Sequence, residues 1–253
     1  MERRCTDEGE EVSIFEHYVF SRINCEYPVD PSYPDRLYQK VAESRFNLEW
    51  LGERCDFLEK WTLPSILSQT ATDFKWILLA NIGTPNEIKK RLESYPGCTV
   101  EYTDESPRVF VPKFLKKTVT TPWVMTTTLD SDDAISMDFI ETVQASFNSE
   151  HEYLNLTKGY KYLTRTDKFY SRFSHGNPFI TLVEPTDGAI GVYCRVHGSK
   201  DLPAPIRQIG GSQKYWLQVV HGDNIVNKGR LMSKDKGHPY SDISDRFKVN
   251  LDG

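Results

Sequence analysis

The chain of 253 residues, 38% hydrophobic and 26% charged, is long enough to bury a sizeable core as one large domain or two small lobes. A net charge of -5 leaves no basic footprint for nucleic acid, and no run of roughly 18 apolar residues is present to span a membrane. The first residues lack the apolar core of a secretion signal, so a cytoplasmic location is expected; the five scattered cysteines form no Cys-x-x-Cys pair and read as reduced thiols rather than a zinc site.

Residues 1–16 read as a polar, acidic tail. Residues 17–24, aromatic and β-branched, predict a first strand, and a loop punctuated by Pro and Asp follows at 27–34. From Leu48 the apolar residues Leu51, Cys55 and Leu58, with Trp50, Phe57 and Trp61 beside them, predict a helix ended or kinked at Pro64. The continuous apolar run at 74–80 suits a strand covered on both faces. Thr84-Pro85-Asn86-Glu87 has the pattern of a capping box, predicting a helix to about Tyr95 with Gly97 as its stop. A strand at 98–103, a helix at 109–117 despite Pro112, a strand at 123–129 and a helix at 134–147 complete this half.

Such alternation implies parallel strands with helical crossovers on both faces, and in such sheets ligands bind outside the carboxyl ends of the strands. Asp130 follows one of those ends. Beyond residue 150 the pattern changes: 153–157 and 160–164 read as a hairpin about Gly159, and 178–183, 190–195 and 215–220 as further strands. The fold class expected is α/β: one domain with a central, mostly parallel sheet flanked by helices, and a smaller mixed or antiparallel part in the second half. Residues 17–150 would be its nucleotide-binding half and 151–227 its mixed-sheet half. Residues 228–253 read as a polar tail with loop and a short helix.

The sequence Leu129-Asp130-Ser131-Asp132-Asp133 admits two readings. Ser131 or Asp132 could cap the following helix, with Asp133 in its first turn favoured by the helix dipole. Alternatively, two carboxylates one residue apart at the sheet's edge could engage a hard divalent cation and leave positions open for phosphate oxygens. The spacing fits no EF-hand, and neither a Walker-type loop nor a Gly-x-Gly-x-x-Gly turn is present.

The chain resembles the GT-A-fold nucleotide-sugar glycosyltransferases, more narrowly the rhamnosyltransferase family found in bacteria and large algal viruses. The segments that carry this are, in order, Tyr18-Val-Phe-Ser-Arg-Ile-Asn24; Trp61-Thr-Leu-Pro-Ser-Ile-Leu-Ser-Gln-Thr70 leading to Phe74-Lys-Trp-Ile; Thr128-Leu-Asp-Ser-Asp-Asp-Ala134; and Pro178-Phe-Ile-Thr-Leu-Val-Glu-Pro185 with Trp216-Leu-Gln-Val-Val-His-Gly-Asp-Asn224. Thr128 departs from the family, which often has Arg there, so any donor contact of that Arg is missing here.

The resemblance implies a metal-dependent transfer of a sugar, rhamnose by the family's name, from a nucleotide-diphosphate donor, UDP-linked in the first instance, to a hydroxyl of a glycan or glycoconjugate acceptor. Asp130 and Asp132 become its Asp-x-Asp motif: Asp132 a ligand to Mn²⁺ or Mg²⁺, Asp130 facing the ribose or the metal's water shell. His221 takes the place of a further metal ligand, and Arg22 that of a nucleotide contact, with Asp104 and Lys113 as weaker ones. For the base that would deprotonate the acceptor, Glu184 is the first choice, with Asp223, Asp133 and His197 open. A catalytically silent glycan-binding relative and a metal-dependent phosphohydrolase are the alternatives, and other modules of a longer polypeptide are compatible partners.

Overall fold

The computed structural model describes residues 3–5, 11–26, 44–194, 202–221, 238 and 241–249. The loop expected at 27–34 lies outside them, as do His197, Asp223 and most of the tail expected at 228–253. Within the described part of that tail a short helix does form, α6 (Ser241–Phe247).

The first half builds the frame. Strands β3 (Phe15–Arg22), β4 (Lys75–Asn81), β5 (Cys98–Thr103) and β6 (Trp123–Thr128) lie parallel, β6 beside β3, β3 beside β4 and β4 beside β5. Their apolar residues alternate between two cores. Val19, Trp76, Leu78 and Met125 face one, while Tyr18, Phe20, Ile77, Leu79 and Val124 face the other. Helix α1 (Leu48–Phe57), α2 (Leu63–Leu67), α3 (Asn86–Glu93) and α5 (Phe139–Ala145) contribute side chains to the first core, and α4 (Pro107–Thr118) packs Val111 and Leu115 into the second. Double coverage is why β4 reads as an unbroken apolar run.

The second half extends this sheet and starts another. Strands β8 (Glu152–Leu156), β11 (Thr181–Pro185) and β12 (Ile206–Ile209) continue the large sheet in the order β12-β8-β11-β6-β3-β4-β5, with β11 antiparallel to both its neighbours. Strands β7 (Ala134–Ile135), β9 (Lys158–Leu163), β10 (Lys168–Phe173) and β13 (Trp216–Val220) form a four-stranded mixed sheet, ordered β10-β9-β13-β7. The expected fold class is therefore the one observed: a mostly parallel central sheet and a smaller mixed one.

Several local expectations are corrected. Residues 153–164 are no hairpin: β8 joins the large sheet and β9 the small one, where β9 pairs with β10 instead. Gly159 sits at this divergence because a Cβ there would lie 2.0 Å from the Trp216 ring. Of the strand expected at 190–195, the described residues form a 3₁₀ turn, Val192–Cys194, instead. The helix expected from 134 begins at Phe139, since Ala134 and Ile135 are drawn into pairing with Leu217 and Trp216. Thr84 forms no capping box; its hydroxyl donates to the Asn81 carbonyl at 2.7 Å and lies 3.1 Å from Asn24 Oδ1, leaving Pro85 as N-cap without a side-chain bond. Finally, the presumed polar tail contains a small antiparallel pair, β1 (Arg3–Cys5) with β2 (Glu11–Ser13).

Candidate functional site

The acidic loop leaves β6 at the carboxyl edge of the parallel strands and enters the small sheet at β7. Antiparallel pairing of β7 with β13, Ala134 opposite Leu217, sends the two chains past each other in opposite directions. Residues before Ala134 therefore run beside residues after Leu217. This register is what brings Asp132 to His221: Oδ2 and Nε2 stand 2.9 Å apart. Asp133 fastens the same seam, its Oδ1 accepting the Val219 N–H at 2.8 Å.

The third wall is helical. After α1 the chain makes a π-turn, Leu58–Thr62, before α2. In an unbroken α-helix residue 62 would lie about 80° around the axis from residue 54, whereas one inserted residue returns it to within roughly 20°. The turn thus puts Arg54 and Thr62 on one side, towards the loop. Arg54 Nη1 donates to Asp132 Oδ2 at 2.9 Å, while Thr62 Oγ1 donates to the Asp133 carbonyl at 2.8 Å and approaches that of Asp130 at 3.3 Å. Phe57 stacks on the His221 ring at 4.2 Å. Past Thr62, Gln69 donates to the Ser136 carbonyl at 2.9 Å and receives the Ile140 N–H at 3.1 Å, docking α2 on the far end of the loop.

Arg22 supplies the fourth side from the end of β3. Its Nη2 donates to Asp130 Oδ1 at 2.9 Å, and its guanidinium lies over the Tyr193 ring at 4.9 Å. Tyr193 is itself held by donation to the Phe20 carbonyl at 3.2 Å. Each carboxylate of the Asp-x-Asp pair is therefore matched by an arginine from a different element.

Asp132 and Asp133 are not electrically alike. Burial pushes the Asp132 carboxyl up, but the Arg54 charge and the His221 bond outweigh it and bring its pKa down to about 2. Asp133 is driven well above the ordinary carboxylate range by burial and by the charges of Asp132 and Asp130. Of these two, Asp132 is the one its neighbours hold as an anion. The alternative helix-start reading of this cluster fails, because no helix starts at it: the N-cap of α5 is Asp138.

Among the described residues, Glu184, Asp104 and Lys113 lie elsewhere. Glu184 is opposite Val124 at the beginning of β6, on the order of 20 Å from Asp130 at about 3.3 Å per residue. It is buried, its carboxylate accepting the N–H groups of Ile190 at 3.1 Å and Gly191 at 2.8 Å. Burial raises its pKa and these bonds oppose the rise. Through these two bonds Glu184 secures the 3₁₀ turn, at the far end of β6 from the acidic loop. Asp104 is exposed after β5, three strands from β6, and Lys113 pairs with Glu105. Neither touches the cluster through any contact among the described residues.

Arg54 and Tyr193 lie in no quoted motif, and Thr62, though inside the segment at 61–70, was not singled out. One signal was present: Arg54 falls at helical spacing between Trp50 and the Phe57–Trp61 pair, a cation inside an aromatic stripe, and its guanidinium lies 5.3 Å from the Trp50 ring centre.

As a metal centre, the site offers Asp132 and His221 as converging donors, with Asp130 turned to Arg22. Among the described residues no group of three or more His, Cys, Asp or Glu side chains is arranged to hold a metal ion. The donor set fits a cation that completes its coordination with phosphate oxygens and water. Among the described residues, no helix is long and apolar enough to cross a membrane.

Residues 34–159, a little under half of the chain, match the family described as "Putative rhamnosyl transferase". This is the family resemblance read from the sequence, and the span takes in Arg54, Thr62 and the whole acidic loop. Among solved structures, TarS 1-349 from S. aureus is 12% identical, with 81% of this chain and 60% of that chain covered and a TM-score of 0.42. Its complex with UDP-GlcNAc gives 12% identity, 81% and 59% coverage and a TM-score of 0.43. HddC from Yersinia pseudotuberculosis is 8% identical over 77% of this chain and 90% of that one, with a TM-score of 0.37. The chain spans about three fifths of the TarS 1-349 structures. No curated protein matches it in sequence.

Proposed function

We propose, from the similarity of residues 34–159 to the rhamnosyl transferase family, that this chain is a metal-dependent glycosyltransferase. It would move a sugar from a nucleotide-diphosphate donor to a hydroxyl of a glycan acceptor. The observation that carries the reading is the Asp132 carboxylate, buried and kept anionic between Arg54 and His221 beside the Asp130–Arg22 pair, at the sheet edge where ligands of such folds bind.

In this reading Asp132 and His221 would hold Mn²⁺ or Mg²⁺, which when bound supplies Lewis-acid neutralisation of the leaving diphosphate. Arg22, over Tyr193, orients Asp130 towards the donor. Phe57 fixes the plane of the His221 ring, Asp133 holds the loop against β13, and Thr62 holds it against the π-turn. Asp223, two residues past His221, is proposed to take the proton of the acceptor hydroxyl, replacing Glu184 in that role. Rhamnose as the sugar and UDP as the nucleotide are the finer parts of the proposal.

Calorimetry of UDP binding with and without Mn²⁺, on the parent and on Asp132→Ala, tests it. Mn²⁺-dependent binding that weakens at least about tenfold in the variant is expected. Equal binding by the two proteins removes the metal assignment. Slow release of UDP from a UDP-sugar separates a transferase from a silent glycan binder, and cleavage of simple phosphoesters would identify a phosphohydrolase instead.

A further inference from the structure

Buried Asn24, two residues past β3, fixes what lies beside that strand's end. Its Oδ1 accepts the Asn81 N–H at 3.0 Å, and its Nδ2 donates to the Arg45 carbonyl at 2.9 Å. The Arg45 backbone is therefore tied to the carboxyl ends of β3 and β4, on the edge where ligands of such sheets bind. Phe46, next in the chain, lies against Gly83, where a Cβ would stand 3.1 Å from its ring. The Arg45 guanidinium rests over that ring, 4.9 Å from its centre.

This guanidinium lacks a counter-charge. Its Nε is buried with no hydrogen-bond partner, and among the described residues the Arg45 side chain makes no hydrogen bond or ion pair. The charges of Arg22 and Arg45 both act on the Cys25 thiol, yet burial pushes that thiol up to about 12, so it stays neutral and compensates neither. A buried donor on a charged group is costly to leave unmade. An anionic oxygen would satisfy the N–H and the charge together. In the sheet β3 separates β4 from β6, the strand that leads into the acidic loop. Arg45 is thus one to two strand spacings from that loop, on the order of 10 Å at about 4.8 Å per strand, a span that a nucleoside diphosphate covers.

We propose that Arg45 binds a phosphate oxygen of the nucleotide donor, extending the site from the acidic loop across the ends of β3 and β4. This rests on the reading of the chain as a nucleotide-sugar transferase. Arg45 is suited to the task, because a planar fork of N–H groups matches phosphate geometry and the guanidinium stays charged at any working pH. Asn24 and Phe46 set its backbone and side chain beforehand, so little ordering remains for the ligand to impose.

Calorimetric titration of the full chain with UDP and with inorganic pyrophosphate, both at fixed Mg²⁺, tests this on the parent, Arg45→Met and Arg45→Lys. Met keeps an apolar stem over Phe46 and drops the charge; Lys keeps the charge and drops the fork. Arg45→Met is expected to bind both ligands about tenfold more weakly than the parent, the weight of one charge-assisted hydrogen bond, with Arg45→Lys between the two. Without ligand, Arg45→Met is expected to melt at or above the temperature of the parent, since it removes a buried donor that has no acceptor. A merely structural Arg45 would lower the melting temperature and the affinity together.

Unchanged affinity of Arg45→Met for both ligands overturns the inference, as does a lowered melting temperature alongside the weaker binding. A loss for UDP but not for pyrophosphate overturns it too, by moving the contact to the nucleoside. If the parent still binds UDP through Asp132, the functional proposal stands and only the role of Arg45 falls. Arg45-dependent binding of pyrophosphate without any binding of UDP keeps the anion site and removes the nucleotide reading. If the parent binds neither ligand, both fall.

Discussion

His221 Nε2 stands 2.9 Å from Asp132 Oδ2 across 89 positions of sequence, and the imidazole is stacked on the Phe57 ring of a third element. Neither residue could reach the other without the antiparallel register of β7 on β13. Replacing His221 by Phe should keep the stack and remove the nitrogen. We expect a melting temperature close to the parent's and Mn²⁺-dependent UDP binding weakened by about ten- to a hundredfold, read by calorimetry.

The displacement of Glu184 to the opposite edge of the sheet has a kinetic consequence. Glu184→Gln should leave kcat/KM for sugar transfer within about threefold of the parent. It should still destabilise the protein by about 1–2 kcal/mol, because an amide cannot accept both the Ile190 and the Gly191 N–H as the carboxylate does. Urea unfolding and steady-state rates together check this; a loss of several orders of magnitude in kcat at unchanged stability would restore it as the base.

His17 sets an acid limit on the fold. It is buried, hydrogen-bonded to Thr127 Oγ1 at 2.8 Å, and burial pulls its pKa from 6.5 down to about 3. Between those values the unfolded chain holds a proton on this residue that the folded chain does not. Its neutral form therefore costs nothing above about pH 6.5, and stability is lost as the pH falls towards 3, by about 1.4 kcal/mol per pH unit. Unfolding free energies of parent and His17→Gln between pH 4 and 8 should diverge in slope by up to that amount below about pH 6.

Gly159 is demanded by packing, not by backbone conformation. A Cβ would lie 2.0 Å from Trp216 Cδ2, and that indole is buried and fixed by donation to the Leu156 carbonyl at 2.8 Å. Gly159→Ala should cost about 2–3 kcal/mol in urea unfolding. Since β13 leads directly to His221, weaker Mn²⁺-dependent UDP binding should accompany that loss.

Part of this site was legible before any tertiary structure. The run into Leu129 and the repeated strand–helix alternation located Asp130 and Asp132 at a sheet's carboxyl edge, because apolar periodicity is a local property of the chain. Arg22 was named through the family resemblance, and the fold brings it to Asp130. Where local pattern and long-range pairing competed, pattern lost. Ala134 and Ile135 have helical spacing with Phe139 but became a strand on β13, and Thr84 has capping chemistry but found Asn24 and Asn81 closer.

By itself the sequence determined the doubly covered parallel sheet, the position of the acidic loop at its edge and the family resemblance, since all of these follow from residue type and spacing along the chain. Only the tertiary structure decided which carboxylate is held anionic and by what. Arg54 reaches Asp132 because a π-turn aligns its helix with Thr62, and His221 arrives through a strand register in a second sheet. Electrostatic partnership depends on distances between segments far apart in sequence, and no local pattern encodes those distances.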